Sequence, residues 1–136
     1  MKFAAKLALY SAAASLLVAS SPILHATNVN LVYKDYAFDT DVAKRTWGDQ
    51  LADSSSTGSD PAVSVATVDS NGHKLEFAVL FAENRCSNTE CPIRVYEDGD
   101  LIMDSLTCRD IATHAISESG MAMVSCGEVT LLDRKK

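Results

Sequence analysis

Four cysteines, three histidines and a scatter of acids are the residues in this chain with the most obvious chemical potential. Cys86, Cys91, Cys108 and Cys126 all lie in its second half. A dithiol redox site would need Cys-x-x-Cys, which brings two sulfurs together at a helix start and lowers one thiol's pKa. Cys86 and Cys91 are separated by four residues in a strand-like context, so a structural clip is the better reading. A transition-metal site would need His73 or His114 beside thiolates, and their spacing fits no Cys/His signature. His73 directly follows an Asn-Gly pair and reads as an exposed turn histidine. His114, inside a short predicted strand, reads as surface or satisfied core. Asp35, Asp39 and Asp41 invite a calcium reading, since hard cations take clustered carboxylate oxygens. An EF-hand loop starting at Asp39 fails: Lys44 stands where the turn glycine should be, and Gln50 where a bidentate glutamate is needed. No metal and no cofactor are expected.

Nucleophilic catalysis has as little support, because the serines, histidines and aspartates are dispersed over loops and no Gly-x-Ser-x-Gly elbow is present. Glu97 and Asp104 could in principle face each other as a carboxylate pair, but turn acids normally point to solvent. No catalytic residue is assigned, and a non-enzymatic role is expected. Trp47 is the only tryptophan and sits beside Gly48-Asp49, outside the regular strand pattern. It could anchor a partner, or fold back to cap one end of the fold, as large aromatics usually do.

Paired in an exported protein, the cysteines read as disulfides. Of the three possible connectivities, Cys86 with Cys91 and Cys108 with Cys126 is favoured, because Cys-Ser-Asn-Thr-Glu-Cys resembles a hairpin loop closed at its base. In the chain-entropy picture the two loops contribute about 2 and 3 kcal/mol. Residues 1–26 supply the export signal: Lys2 and Lys6, an uncharged apolar run from Leu7 to Ala19, then small residues with a cleavage site after Ala26 or after Ser20. The run falls short of the ~20 residues of a membrane-spanning helix, so no stable membrane insertion is expected after cleavage. The protein is expected in the periplasm or outside the cell. Losing Lys2 and Lys6 takes the formal charge from −6 to −8. Arg85, Arg94, Arg109 and the Arg134-Lys135-Lys136 tail are scattered among acids, so nucleic acid is an improbable partner, and the tail reads as a solvated end.

The elements that would hold these residues are mostly strands of a single domain, with residues 62–136 as its β-rich core and 27–61 as an N-terminal strand, helix and loop. Ala62 to Val68 ends at Asn71-Gly72, a strong hairpin signal because both residues tolerate positive φ. Lys74 to Ala82 places Leu75, Phe77, Val79 and Phe81 on one face and reads as a half-buried strand. Cys91 to Glu97 turns at Asp98-Gly99-Asp100 into Leu101 to Cys108, where the parity of Ile102, Leu106 and Cys108 points Cys108 inward. Thr113 to Ser117, Met121 to Cys126 and Glu128 to Leu132 follow, and the shared face of Ala122, Val124 and Cys126 suits a buried bridge to Cys108. Upstream, Asn30 to Phe38 could open the fold, and Thr40 or Asp41 could cap a short helix presenting Val42, Thr46, Trp47 and Leu51, with Gly48 against it. Asp53 to Asp60 reads as a mobile loop. The sum is a mainly β fold, an antiparallel barrel or sandwich of seven to eight short strands stapled by disulfides.

Ser117-Glu118-Ser119-Gly120 is similar to the Ser-x-Ser-Gly stretch of the exported C-type lysozyme inhibitors, small β-barrels that insert a loop into an enzyme's cleft. The likeness covers four residues. Those proteins place a tyrosine two residues after the glycine, where this chain has Ala122, and their strand order and cysteine spacing differ. It therefore implies an analogy of size, compartment and architecture. The functional expectation is a small exported β-domain that binds an envelope or extracellular protein or small ligand, with enzyme inhibition as one form. The competing classes are a periplasmic metal- or redox-responsive protein and a small enzyme without a motif. Loops on a rigid scaffold carry recognition, so the candidates are Trp47 and the Cys86–Cys91 clip with Asn84, Arg85, Asn88 and Glu90.

Overall fold

The computed structural model describes residues 27–54 and 62–134. The leader at 1–26, most of the Asp/Ser-rich run and Lys135-Lys136 lie outside the described residues, and so do the expectations placed on them. The rest is mainly β, in two antiparallel sheets with one α-helix. The five-stranded sheet has the order β2 (Lys34–Tyr36), β3 (Val63–Ser70), β4 (His73–Leu80), β5 (Glu90–Glu97), β6 (Asp100–Cys108). The four-stranded sheet has the order β1 (Val29–Asn30), β7 (Ala115–Ile116), β8 (Ala122–Ser125), β9 (Glu128–Leu131). The sheets are not closed into a barrel; they form a sandwich-like pair. The expected opening strand is thus split, with β1 serving one sheet and β2 the other.

Alternation builds the space between the sheets. Leu75, Phe77, Val79 and Phe81 share a buried cluster with Cys91, Ile93 and Val95 of β5 and with Ile116, Met123 and Leu132 from the other sheet. Three two-residue turns set the register. Asn71-Gly72, Asp98-Gly99 and Cys126-Gly127 all have positive φ, which matches the twist of tight hairpins. They give the pairs Ser70↔His73, Glu97↔Asp100 and Ser125↔Glu128.

Helix α1 (Asp41–Leu51) begins at Thr40, whose Oγ1 accepts from the Ala43 amide at 3.3 Å. It lies on the outer face of the five-stranded sheet, where Ala43 and Trp47 join Val63, Val65, Ala78, Leu80 and Ala82 in a second buried cluster. This corrects the half-buried reading of β4, which is covered on both faces because the helix roofs the side away from the sandwich. Gly48 costs the helix about 1 kcal/mol relative to alanine, and packing of the apolar face outweighs it.

Three parity expectations change. The pairs Val95↔Met103 and Tyr96↔Leu101 leave Ile102 as an extra residue, and this bulge reverses the alternation beyond it. Thr107 therefore points in, while Leu106 is 59% exposed and Cys108 sits at the surface layer rather than inside. In β8 the inward residues are Met123 and Ser125, not Ala122 and Val124. Cys126 occupies a hairpin turn and is exposed, so its bridge is not buried.

Candidate functional site

The disulfides pair Cys86 with Cys91 and Cys108 with Cys126. The first closes the loop leading into β5. Inside that loop Ser87 Oγ accepts from the amides of Thr89 and Glu90 at 3.3 and 3.0 Å, fixing the positions of Asn88 and Glu90. The second bridge ties the end of β6 to the β8–β9 turn, joining the two sheets along the side where a barrel would have closed.

That open side is a cleft of about 650 Å³. Leu106, Thr107 and Cys108 of β6 form one wall, and Ser125, Cys126, Glu128 and Thr130 of the β8–β9 hairpin form the other. Asn88, Thr89 and Glu90 from the disulfide loop and Arg109-Asp110 close one end. Of the residues singled out from sequence, Asn88 and Glu90 reach this cleft. Asn88 and Arg109 also border an adjoining recess of about 160 Å³. Arg85 lines neither; it is half-buried, with its Nε enclosed and without a hydrogen-bond partner.

Trp47 is not displayed. It is 0% exposed beneath α1, and the Arg94 guanidinium stacks over its ring at 4.3 Å. Arg94 donates to both Asp49 oxygens at 2.6 and 2.9 Å, to the Thr46 carbonyl and to Asp104. The hydrogen bond to Asp49 holds the guanidinium pKa up and the Asp49 carboxyl below its usual range. Arg45 grips Glu76 in the same layer, and Tyr96 Oη donates to the Thr46 carbonyl at 2.5 Å. This network seats the helix on its sheet. The Trp47 anchor proposed from sequence is therefore a core residue, because the helix that carries it is roofing rather than loop.

The remaining chemical groups are also structural. His114, 0% exposed, takes the tautomer its partners dictate. The Cys108 carbonyl can only accept, so Nε2 donates to it at 2.8 Å, and Nδ1 accepts from the Tyr33 hydroxyl at 2.7 Å. Burial lowers the His114 pKa and raises that of Tyr33. His73 Nδ1 lies 2.6 Å from Asp98 at the surface, and this bond lowers the Asp98 pKa. Asp35 accepts from Ser64 Oγ at 2.7 Å. Among the described residues no group of three or more His, Cys, Asp or Glu could hold a metal ion.

At the sandwich end opposite the disulfides, Glu97 is 2% exposed on the inner face, which corrects its reading as a solvent-facing acid. Asp104 belongs to the other face, beside Arg94. Glu97 pairs with Arg134, whose Nε lies 2.9 Å from Oε1, while His73 Nδ1 lies 4.0 Å from the same oxygen. Arg134 also donates to Ser70 Oγ and to the carbonyls of Ser70 and Gly120. Its position in the tail hid it: Arg134 is a buried ion-pair residue, not part of a solvated end. The Ser117–Gly120 stretch packs here as well, with Asn71 Nδ2 donating to the Ser119 carbonyl and Gly120 buried against Ser70.

The two bridges fit an oxidising compartment, and no helix among the described residues is long and apolar enough to cross a membrane. Comparison with protein families, curated proteins and solved structures finds no match.

Proposed function

We propose that this is an exported recognition domain, acting in the periplasm or outside the cell, that binds a partner protein in the cleft between β6 and the β8–β9 hairpin. One observation carries the reading: the cleft's two walls are tied to each other by the Cys108–Cys126 bridge, and the Cys86–Cys91 loop braces one end of it. Loops and edges held by a rigid scaffold are the usual place for recognition, and a concave surface braced in this way loses little ordering entropy on binding. The cleft is lined by exposed acids, an arginine, hydroxyls and Leu106. That mixture of charge, hydroxyls and an exposed apolar side chain suits recognition of a partner surface. The 110-residue mature chain implied by cleavage after Ala26 would be enough to carry such a site on one core.

The test is affinity capture from envelope and extracellular extracts with three oxidised proteins. These are the mature domain, Thr130→Trp, which fills the cleft, and Lys44→Glu on the exposed side of α1. A stoichiometric partner retained by the mature domain and Lys44→Glu but lost with Thr130→Trp supports the cleft. Equal retention by Thr130→Trp, or no specific retention, defeats the proposal. A captured enzyme would then be assayed for inhibition.

A further inference from the structure

The partner's mode of engagement follows from the edge strand of the cleft, and rests on the recognition reading above. Among the described residues strand β9 pairs only with β8 and ends its sheet. Its hydrogen-bond phase is fixed at both ends. The two-residue turn makes Ser125↔Glu128 a bonded pair, and the Leu132 amide donates to the Met121 carbonyl at 2.8 Å. Bonded and non-bonded pairs alternate in an antiparallel ladder, so Met123↔Thr130 is bonded while Val124↔Val129 and Ala122↔Leu131 are not. The backbone N–H and C=O groups of Val129 and Leu131 therefore point away from β8, and no other described strand pairs with them. Natural edges are commonly protected by lysine, proline, a bulge, a very short strand or an inward-pointing charge; Glu128–Leu131 lacks the first three and is guarded only by its four-residue length and by Glu128, while Val129 and Leu131 are 65% and 78% exposed.

The two faces of this edge differ. Glu128 and Thr130, paired with inward Ser125 and Met123, present their side chains to the cleft. Val129 and Leu131 lie on the outer face with Ala122 and Val124. The ionisable groups lining the cleft are Glu90, Asp110 and Glu128 against Arg109, and Arg109 is already engaged, donating to the Ser87 carbonyl at 3.4 Å. The chain as a whole is also acidic, at −6. A second copy would bring like charge to like charge. We infer that β9 accepts, by strand addition, an extended partner segment that alternates basic and apolar residues. Lysine or arginine side chains enter the cleft beside Glu128, Glu90 and Asp110, and apolar ones cover Val129 and Leu131. Main-chain hydrogen bonds supply affinity in such additions and alternate side chains supply specificity.

The experiment titrates the ¹⁵N-labelled oxidised domain with Ac-Thr-Lys-Val-Lys-Val-Lys-Thr-NH₂ and with the same peptide bearing Glu for Lys. The Lys peptide is expected to shift the Val129 and Leu131 amides and to bind at least tenfold tighter than the Glu peptide, with affinity falling as salt rises. Val129→Pro removes an outward N–H that β8 does not use, which edge strands tolerate, and should weaken the Lys peptide at least tenfold. Val129→Lys, which repels the same peptide, serves if the proline variant fails to fold. Equal binding of both peptides, shifts confined to other residues, or no binding overturns strand addition. A concentration-dependent dimer lost in the Val129 variants would make the occupant a second copy and overturn the cationic partner. Should the peptides fail while Thr130→Trp still abolishes capture, strand addition falls and the recognition reading stands. Capture insensitive to Thr130→Trp defeats the recognition reading itself.

Discussion

Replacing Arg134 with alanine should be among the most damaging single changes in this protein, although only two lysines follow it in the sequence. Glu97 has 2% of its surface exposed, and the guanidinium that faces it also donates to Ser70 and Gly120. Removing one partner of a buried pair strands the other charge without water, at a cost of about 3–5 kcal/mol. Near 110 residues each kcal/mol moves the melting temperature by about 4 °C, so the loss is roughly 12–20 °C. The assay is urea and thermal unfolding of the oxidised domain, followed through Trp47. Deleting residues 134–136 should cost as much as Arg134→Ala. The double variant Glu97→Gln/Arg134→Met should recover much of the loss, because the stranded charge is gone. A loss below about 1 kcal/mol, the range of an exposed pair, would refute the burial argument and return Arg134 to a solvated tail.

Gly120→Ala should destabilise far more than Gly99→Ala when both are melted side by side. Both positions have positive φ, but a Cβ at Gly120 would meet Ser70 Oγ at 2.1 Å and Arg134 Nη1 at 2.6 Å, whereas one at Gly99 meets nothing within 4 Å; equal losses would mean that backbone strain alone matters. Stability should be fully developed above about pH 6.5 and fall as pH drops below it, because burial lowers the folded His114 pKa beneath its usual 6.5 and the unfolded chain then binds the extra proton. In His114→Gln that part of the pH dependence, read from urea midpoints, should disappear. Replacing Cys108 and Cys126 with serine should cost about 3 kcal/mol in denaturant midpoints, against about 2 kcal/mol for Cys86 and Cys91; the reverse order would contradict the loop-closure account.

Local chemistry made much of the fold legible. Asn71-Gly72 and Asp98-Gly99 turn where their tolerance of positive φ demands it, Thr40 caps the helix, and both bridges join the expected cysteines. The errors have a common origin in tertiary context. Alternation in β6 was read through a bulge that pattern alone does not reveal, so Leu106 was placed inside. The covering of β4 on its second face depends on where α1 docks; Ala78, Leu80 and Ala82 were its apolar sign, masked by Lys74 and Glu76 at the start of that face. Arg134 looked like a basic tail because its partner lies 37 residues away in sequence. For the cleft, sequence supplied Asn88 and Glu90 through their disulfide loop. It missed Leu106, Glu128 and Thr130, which meet only because the sheets do not close into a barrel; the alternation of Glu128 and Thr130 with Val129 and Leu131 was the available clue.

The register of β5 and β6 bears on how the correct bridges come to be made. Cys91 pairs with Thr107, and both face the interior, so Cys108 one residue on faces the opposite side of the sheet. Once the Asp98-Gly99 turn has closed this hairpin, the erroneous Cys91–Cys108 linkage would have to pass through the sheet, although the two residues are close along the ladder. Cys91 instead bonds its loop neighbour Cys86, and Cys108 bonds Cys126 in the β8–β9 turn. The pleat of one hairpin thus stands against one of the two wrong connectivities, the one that would join Cys91 to Cys108.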